Sequence, residues 1–288
     1  CVLVVGDVNL TLACALVATK KGVPVVHVEA GLRSYDRNMP EEVNRVLTDQ
    51  LADILYTTER SAEANLVREG IAAERVRFVG NVMIDALRSN LEYARHPRQT
   101  LESAGYSGAI LDAPNGYGVV TLHRPSNVDS AETLAPLLST LRTIAERMPL
   151  IFALHPRTRA NIERFGLQSL IDTPKMVMLP PQGYLEMLGL MAQAAAVLTD
   201  SGGLQEETTA LGVPCFTLRE NTERPITVTD GTNTMVGRDH EAILKGIDEL
   251  IVNGGKAGRV PEYWDGHAAE RIAADLCQWL LNRHHKVT

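Results

Sequence analysis

The sequence predicts an α/β fold with two doubly wound parallel sheets, one in each of two Rossmann-like domains. Apolar runs of strand length alternate with helical patterns along the whole chain, which is typical of parallel α/β proteins. These runs are apolar almost throughout, as expected for strands that are buried on both faces. A stretch rich in Pro, Gly, Asn and Ser, residues 94–118, interrupts the pattern and is interpreted as a helix followed by a linker.

Ten strands are expected, at residues 2–5, 25–28, 54–57, 75–79, 118–122, 150–153, 176–179, 195–198, 215–218 and 234–236. Residues 9–20 form a helix that is expected to be buried and to end at Gly22. Residues 41–51 form an amphipathic helix with one apolar stripe, made of Val43, Val46, Leu47 and Leu51. The last helical pattern, 268–282, can cross back to the first domain. We therefore expect a first domain of residues 1–110, with 268–288 packing back on it, and a second domain of residues 111–267.

Composition excludes several functional classes. The net charge of −7 argues against non-specific nucleic-acid binding. No apolar run is long enough to span a membrane, and the start of the chain lacks the features of a signal peptide. The four cysteines are scattered, which argues against structural zinc and favours a reducing, cytoplasmic compartment. The chain starts at Cys1 inside a strand-like run, so the first domain is expected to be incomplete.

The segment from Thr199 to Glu207 predicts an anion site. It follows a strand and opens a helix, with Ser201 as the capping residue and two glycines, Gly202 and Gly203, that allow backbone N–H groups to approach a ligand. A helix N-terminus of this kind binds diphosphate well. Glu207, two turns further on, can accept hydrogen bonds from a vicinal diol such as ribose. An ordinary capped helix after a tight turn would show the same pattern.

Ionisable residues follow several of the predicted strands, where parallel α/β proteins bind their ligands. They are Asp7, Glu29, His123 with Arg124, and His155 with Arg157, joined by Glu41 and Glu42 at the start of a helix. Each has a structural explanation of its own: a turn, a cap, or, for the two glutamates, the helix dipole and pairing with Arg45. Their coincidence at four strand ends, beside a diphosphate-type helix end, predicts one functional cleft.

Seven segments then resemble a known family. They are VVGDVNLTLA, HVEAGLRS, MPEEVNRVLTD, VGNVMIDAL, TLHRPSNVD, TDSGGLQEE and TERP, in this order along nearly the whole chain. Together they look like the non-hydrolysing UDP-N-acetylglucosamine 2-epimerases. The resemblance implies a glycosyltransferase-B type fold with substrate between two domains. It further implies a homodimer in the cytoplasm, no membrane or nucleic-acid partner, no cofactor or metal, and a place in polysaccharide biosynthesis.

The implied reaction interconverts UDP-N-acetylglucosamine and UDP-N-acetylmannosamine. UDP is expelled to give a 2-acetamidoglucal and then adds back, with a proton delivered to carbon 2 from the other face. Two faces require two proton-handling groups, which accounts for several carboxylates around one sugar. The resemblance implies that Asp7, Glu29 and Glu41 are these carboxylates, and that His123 assists the departing diphosphate. Which carboxylate serves which face stays open.

The resemblance also implies a set of UDP-binding residues: Gln182, Ser201, Gly202, Gly203, Glu207 and Arg224. Additional residues are expected near the site at Arg33, Arg124, His155 and Arg157. The resemblance implies that two of these, His155 and Arg157, contribute to a second, regulatory nucleotide-sugar site proposed for some members. Arg33 has the alternative of being an ordinary surface charge.

Two departures from the family pattern stand out. After His123-Arg124, many members have Arg-Glu-Asn, where this chain has Pro125, Ser126 and Asn127, which we interpret as the mark of a subgroup. The opening strand, Gly-Thr-Arg-Pro-Glu loop and helix of the family are not in the sequence, in line with an incomplete first domain.

Other functions remain open at this point. A UDP-sugar-dependent glycosyltransferase of the same fold would share the nucleotide-binding segments but would not need Asp7, Glu29 and Glu41. An epimerase acting on a UDP-diacetamido-uronic acid would keep the same nucleotide site and most of the carboxylates. A hydrolysing epimerase and a non-catalytic nucleotide-sugar binder are two further alternatives.

Overall fold

The computed structural model of the protein describes residues 1–284, which fold into two compact units. Unit 1 comprises residues 1–89, 222–226 and 261–284, and unit 2 comprises residues 90–221 and 227–260. The expected boundary lies after residue 110, whereas the first segment of unit 1 ends at Ser89. The reason is that residues 95–103 pack on a helix of unit 2, where the Arg95 N–H donates to the Leu185 carbonyl oxygen at 3.0 Å.

Within the described residues, unit 1 has a four-stranded parallel sheet in the order β1-β2-β3-β4. The strands are β1 (Val2–Val5), β2 (Val25–Ala30), β3 (Ile54–Thr57) and β4 (Val76–Phe78). The helices around the sheet are α1 (Asn9–Lys20), α2 (Pro40–Leu51), α3 (Arg60–Arg68), α4 (Val82–Asn90) and α13 (Ala268–His284). Alternate β2 residues enter two apolar clusters, since Val25 packs with α1 and α3 residues, whereas Val26 packs with Ile272 of α13. Both faces of the sheet are therefore covered at β2 and β3, whereas Leu3 and Val5 of β1 are exposed.

Unit 2 has a six-stranded parallel sheet in the order β10-β9-β8-β5-β6-β7 within the same described range. The strands are β5 (Gly118–Thr121), β6 (Leu150–Ala153), β7 (Met176–Leu179), β8 (Ala196–Thr199), β9 (Cys215–Thr217) and β10 (Asn233–Met235). The remaining α-helices are α5 (Pro97–Ser103), α6 (Pro125–Val128), α7 (Ala131–Ala145), α8 (Pro156–Arg164), α9 (Tyr184–Ala192), α10 (Gly202–Leu211), α11 (Pro225–Thr229) and α12 (His240–Asn253), of which α11 begins in unit 1. The direction of winding reverses between β5 and β8, so a topological switch point lies there.

The expected fold class is confirmed, because both sheets are parallel and each of the ten expected strands is present with ends moved by at most two residues. Two expectations about unit 1 are corrected. The second strand continues to Ala30, so Glu29 lies within it rather than after it. Helix α1 is not buried: Thr11, Ala15 and Ala18 face the protein, whereas Leu10, Leu16 and Val17 are exposed, because α2 and the sheet cover only one side of the helix.

None of the helices within residues 1–284 combines the length and the apolar character that crossing a bilayer requires.

Candidate active site

In unit 1, Asp7 lies directly after β1 and is held by Arg45. Gly6 makes the turn with φ +67°, and its N–H donates to the Val28 carbonyl oxygen at 3.0 Å, which ties the turn to β2. The Asp7 carboxylate forms an ion pair with the Arg45 guanidinium, which is 2% exposed and reaches it from α2. The expected pairing of Arg45 with a glutamate also occurs, with Glu42 at 2.9 Å. A buried arginine thus fixes the orientation of the Asp7 carboxylate, a contact that helical spacing alone does not indicate.

Glu29 occupies a strained position in β2. Its φ is +71°, a conformation that residues other than glycine adopt rarely, and the strand register shifts between Val28 and Ala30. This bulge turns the side chain toward the Gly6 turn, where a Cβ on Gly6 would lie 3.6 Å from Glu29 Oε2. The carboxylate is nearly buried and forms an ion pair with the guanidinium of Arg224, another residue of unit 1. The carboxylates of Asp7 and Glu29 therefore belong to two adjacent strand ends, each paired with an arginine.

The two glutamates at the start of α2, Glu41 and Glu42, have different environments. Glu42 is 2% exposed and accepts hydrogen bonds from Ser34 N and Oγ, at 2.9 and 3.0 Å, and from Tyr35 N at 3.0 Å. It therefore holds the loop that precedes α2. Glu41, in the first turn of the same helix and next to this buried residue, is only partly buried. The structural role thus falls to Glu42, which leaves Glu41 as the glutamate that remains a candidate for chemistry.

A buried polar network supports the two strand ends. His27, fully buried in β2, contacts Asp49 Oδ1 through Nδ1 at 2.6 Å and the Gly6 carbonyl oxygen through Nε2 at 2.9 Å. Burial opposes ionisation of Asp49, but hydrogen bonds and charges from His27 and Arg33 outweigh it and lower the pKa of the carboxyl. The His27 ring thus bridges the Asp49 carboxylate and the Gly6 carbonyl oxygen. The network therefore connects α2 to the Asp7 turn.

Arg33 belongs to this network rather than to the surface. Its guanidinium is 2.7 Å from Asp49 Oδ2 and 2.6 Å from Glu69 Oε2, and 3% of the residue is exposed. Burial would lower the pKa of Arg33, but these carboxylates raise it overall, so the side chain stays charged. The alternative of an ordinary surface charge is therefore wrong for Arg33.

In unit 2, His123 and Asp200 meet at the topological switch point. His123 follows β5 and Asp200 follows β8, and these two strands are neighbours in the sheet. His123 Nδ1 lies 2.8 Å from Asp200 Oδ1, with the Asp200 side chain fully buried and 36% of the His123 side chain exposed. Arg124 donates its backbone N–H to Asp200 Oδ2 at 2.9 Å. Asp200 lies within the segment that predicts the anion site, but nothing in the sequence indicates its contact with His123.

The anion-type helix end is present, with one correction. Ser201 occupies the N-cap position of α10, yet its hydroxyl makes no capping hydrogen bond within the described residues. Instead the Ser201 N–H donates to Thr199 Oγ1 at 3.0 Å, and Thr199 Oγ1 pairs with Thr121 Oγ1 at 2.7 Å. Gly202 and Gly203 open the helix as expected. The turn between β8 and α10 is therefore fixed by threonines rather than by the serine side chain.

Glu207, further along α10, is 4% exposed and accepts a hydrogen bond from the Tyr184 hydroxyl. Burial raises the pKa of Glu207, and the Tyr184 hydrogen bond offsets part of that effect. Burial together with the Glu207 charge raises the pKa of Tyr184 to about 12. Gln182, on the loop before α9, donates to the Pro180 carbonyl oxygen at 2.7 Å. Tyr184 is not among the expected site residues, although it lies two residues after Gln182.

His155 and Arg157 lie at the start of α8. His155 Nδ1 accepts the Arg157 N–H at 3.2 Å, so the imidazole caps the helix. The Arg157 guanidinium is paired with Asp129, with Nε 2.6 Å from Oδ1. The His155 ring centre lies 5.8 Å from that of His123. Of the two, His155 is therefore adjacent to the His123–Asp200 pair.

Within residues 1–284, no group of three or more His, Cys, Asp or Glu side chains is arranged to hold a metal ion.

Comparison with known proteins assigns the family. A family model described as UDP-N-acetylglucosamine 2-epimerase matches residues 1–277. The chain is 43% identical over 278 residues to the UDP-N-acetylglucosamine 2-epimerase of Methanocaldococcus jannaschii, covering 96% of this chain and 74% of that protein. It is 40% identical over 284 residues to the UDP-2,3-diacetamido-2,3-dideoxy-D-glucuronate 2-epimerase of Pseudomonas aeruginosa, covering 96% of this chain and 74% of that protein.

A solved structure agrees with these sequence relationships. The crystal structure of the Methanocaldococcus jannaschii UDP-GlcNAc 2-epimerase in complex with UDP-GlcNAc and UDP matches with a TM-score of 0.85 and 42% identity, covering 96% of this chain and 75% of that chain. The resemblance seen in the seven segments is thereby confirmed. The chain belongs to the UDP-N-acetylglucosamine 2-epimerase family.

Proposed function

We propose that the protein interconverts UDP-N-acetylglucosamine and UDP-N-acetylmannosamine by eliminating UDP to 2-acetamidoglucal and adding it back. The observation that carries this proposal is the pair of carboxylates, Asp7 and Glu29, that belong to adjacent strand ends and are each paired with an arginine. Inversion at carbon 2 needs a proton removed from one face and delivered to the other. Family membership supplies the substrate class.

Three carboxylates of unit 1 handle the carbon 2 proton in this proposal. One of Asp7, Glu29 and Glu41 accepts the proton as a carboxylate, the C–H electron pair forms the carbon 1–carbon 2 double bond, and the carbon 1–oxygen bond breaks with its electrons on UDP. In the return direction a protonated carboxyl on the opposite face delivers its proton to carbon 2, and a UDP oxygen bonds to carbon 1. The buried network of His27 and Asp49 supports this role because it ties the Asp7 turn to α2.

In this proposal, the departing diphosphate is stabilised by the start of α10, Ser201, His123 and Arg224. The N–H groups at the start of α10, around Gly202 and Gly203, carry the positive end of the helix dipole. The Ser201 hydroxyl, which makes no capping bond within the described part of the chain, is able to donate to a phosphate oxygen. His123 stabilises the developing negative charge as a cation or as a proton donor.

The nucleoside is recognised by Glu207 and Gln182. The Glu207 carboxylate accepts hydrogen bonds from the two ribose hydroxyls, replacing the bond that it now accepts from Tyr184. Gln182 hydrogen-bonds the uracil. Both assignments rest on the match of these positions to the family pattern.

The test is proton NMR of the protein with UDP-N-acetylglucosamine in heavy water. The expected result is loss of the carbon 2 proton signal and appearance of a manno-configured UDP-sugar. Asp7→Asn and Glu29→Gln, which keep the side-chain size, should abolish or strongly slow the exchange. A folded protein that binds UDP but leaves the carbon 2 proton in place would contradict the proposed reaction.

A second substrate has a specific observation in its favour. The Pseudomonas aeruginosa relative, at 40% identity, is a UDP-2,3-diacetamido-2,3-dideoxy-D-glucuronate 2-epimerase. The same elimination at carbon 2 would act on that sugar, with the same nucleotide-binding residues. Comparing kcat/KM for the two UDP-sugars decides between them, and we expect the higher value for UDP-N-acetylglucosamine.

We further propose that the protein is a cytoplasmic homodimer that supplies a sugar for polysaccharide biosynthesis. The cytoplasmic location is supported by four free cysteines, three of them exposed. The dimer and the pathway rest on the family resemblance. Light scattering of the purified protein at micromolar concentration tests the dimer, and a mass of one chain would contradict it.

A further inference from the structure

The Asp200 carboxylate accepts several hydrogen bonds, and Asp200 has no role in the proposed reaction as described above. It accepts His123 Nδ1 at 2.8 Å, the His123 and Arg124 backbone N–H groups at 3.1 and 2.9 Å, and Asn127 Nδ2 at 3.0 Å. Both Asp200 and Asn127 are almost completely buried. The carboxylate is therefore held rigidly at the carboxyl end of β8.

These donors keep Asp200 ionised. Burial by itself favours the neutral acid, but the hydrogen bond and charge of His123, together with the Arg124 and Asn127 hydrogen bonds, lower the pKa of Asp200. A carboxylate only accepts hydrogen bonds, so His123 Nδ1 must carry a proton. The contact thus selects one of the two neutral tautomers of the imidazole.

The ring orientation follows from the same contact. Nε2 lies on the opposite side of the ring from Nδ1 and faces away from Asp200, and 36% of the His123 side chain is exposed. The N-terminus of α10 begins at Gly202, two residues after Asp200. Asp200 therefore connects the His123 ring to the start of the helix at which the diphosphate is proposed to bind.

We propose that Asp200 is a positioning residue for His123: it holds the proton on Nδ1 and presents Nε2 to the diphosphate oxygen of the UDP-sugar. This inference rests on the proposed function. As an imidazolium, His123 donates the Nε2 proton to the leaving oxygen, and Asp200 stabilises the cation. As the neutral ring, it offers the Nε2 lone pair to accept that proton when UDP adds back.

A purely structural role is the competing explanation, because the Asp200 bonds to backbone N–H groups also join the segment after β5 to the end of β8. Asn127 provides the matched control. Its side chain donates to the same carboxylate at 3.0 Å and to the Leu218 carbonyl oxygen at 2.9 Å, and neither bond involves the imidazole. Removing the Asn127 side chain therefore breaks its hydrogen bonds to Asp200 and Leu218 and leaves the contact between Asp200 and the His123 imidazole intact.

The test compares Asp200→Asn with Asn127→Ala. With labelled histidine, ¹⁵N NMR of neutral His123 is expected to show the Nδ1–H tautomer in wild type and Asn127→Ala, and a shift toward Nε2–H in Asp200→Asn. We expect kcat of Asp200→Asn to fall about 10²- to 10⁴-fold with KM within about threefold of wild type. In Asn127→Ala, kcat should fall less than about fivefold, although the melting temperature decreases.

A double-mutant cycle keeps the inference testable if Asp200→Asn is unstable. In the His123→Asn background, adding Asp200→Asn should change kcat less than about threefold, because the residue acts through the imidazole. Equal losses from Asp200→Asn with and without His123, or an unchanged tautomer in Asp200→Asn, would overturn the positioning role. A wild-type protein that shows the tautomer effect but no exchange at carbon 2 would contradict the proposed function instead.

Discussion

The guanidinium of Arg224 and the carboxylate of Glu29 form an ion pair inside unit 1, with 8% and 9% of their side chains exposed. Arg224 comes from residues 222–226, which belong to unit 1 although unit 2 surrounds them in the sequence. In the proposed reaction Arg224 contacts the nucleotide and Glu29 handles a proton. The ion pair therefore joins a nucleotide-binding residue to a residue of the chemical step.

This pairing predicts how Glu29 affects UDP binding. Glu29 provides a negative charge that competes with the diphosphate for Arg224, so Glu29→Gln should bind UDP about tenfold more tightly, or about 1.4 kcal/mol. Isothermal titration calorimetry measures the change. Glu69→Gln is the control, since it removes a carboxylate from Arg33 in the same unit and should leave UDP affinity unchanged. Equal or weaker UDP binding by Glu29→Gln would show that the two anions do not compete.

The adjacent glutamates of α2 should respond in opposite ways to the same substitution. Glu42→Gln should lower the free energy of unfolding by about 2–3 kcal/mol, because it weakens buried bonds to Ser34 and Arg45. Glu41→Gln should keep wild-type stability and lower kcat by about 10²- to 10⁴-fold. Urea unfolding and steady-state kinetics on both variants separate the roles. A loss of stability in Glu41→Gln with normal kcat would reverse our assignment.

Sequence patterns predict the strands well because buried parallel strands are continuous apolar runs, whose signal is local. Local sequence patterns do not predict which side of helix α2 is buried. Its apolar stripe, with Leu47 exposed, is not the buried side, whereas Glu42, Arg45 and Asp49 are buried. These three side chains gain partners from the turn after β1, from the loop after β2 and from β2 itself. Such partners are distant in sequence, so no periodicity within the helix could indicate them.

The candidate active site likewise has features that the local sequence predicts and contacts that it does not predict. Strand-end positions and the Thr199–Glu207 segment indicate where ligand groups lie, since those features depend on local chain order. The bulge that turns Glu29 toward Gly6 depends on the pairing of β2 with β3 and leaves no mark in composition. The Asp200 contact likewise depends on β5 and β8 being neighbours in the sheet, although β6 and β7 both lie between them in the sequence.

Gly189, in the middle of α9, should not tolerate a side chain. A Cβ there would lie 1.7 Å from the Arg95 carbonyl oxygen, where the chain before α5 contacts α9. Gly189→Ala should therefore lower the free energy of unfolding by about 3 kcal/mol. Gly166→Ala is the control: φ is +68° but no heavy atom of the described residues lies within 4 Å of the added Cβ, so only about 1 kcal/mol is expected. Urea unfolding followed by circular dichroism measures both, and equal losses would contradict the close approach.

The Asp49 network should make unit 1 sensitive to acid. The pKa of Asp49 is lowered in the folded protein, where His27 and Arg33 overcome the effect of burial. Its stabilising effect is therefore fully present above the unfolded pKa of about 3.9 and is lost as pH falls through the lower folded value. Asp49→Asn should cost about 3 kcal/mol at pH 7, and the difference from wild type should shrink below about pH 4.

Thermal unfolding of wild type and Asp49→Asn from pH 7 to pH 3 measures this difference, with Glu74→Gln, at an exposed position of unit 1, as the control that should follow wild type. Protonation of Asp49 also weakens the hold of His27 on the Gly6 carbonyl oxygen, 2.9 Å from Nε2. The protection factors of the amides around Gly6 and Asp7, which compare each exchange rate with the intrinsic rate at the same pH, should therefore fall below about pH 4 in wild type and be low at every pH in Asp49→Asn. A stability difference that stays constant down to pH 3 would mean that the Asp49 charge does not stabilise the fold.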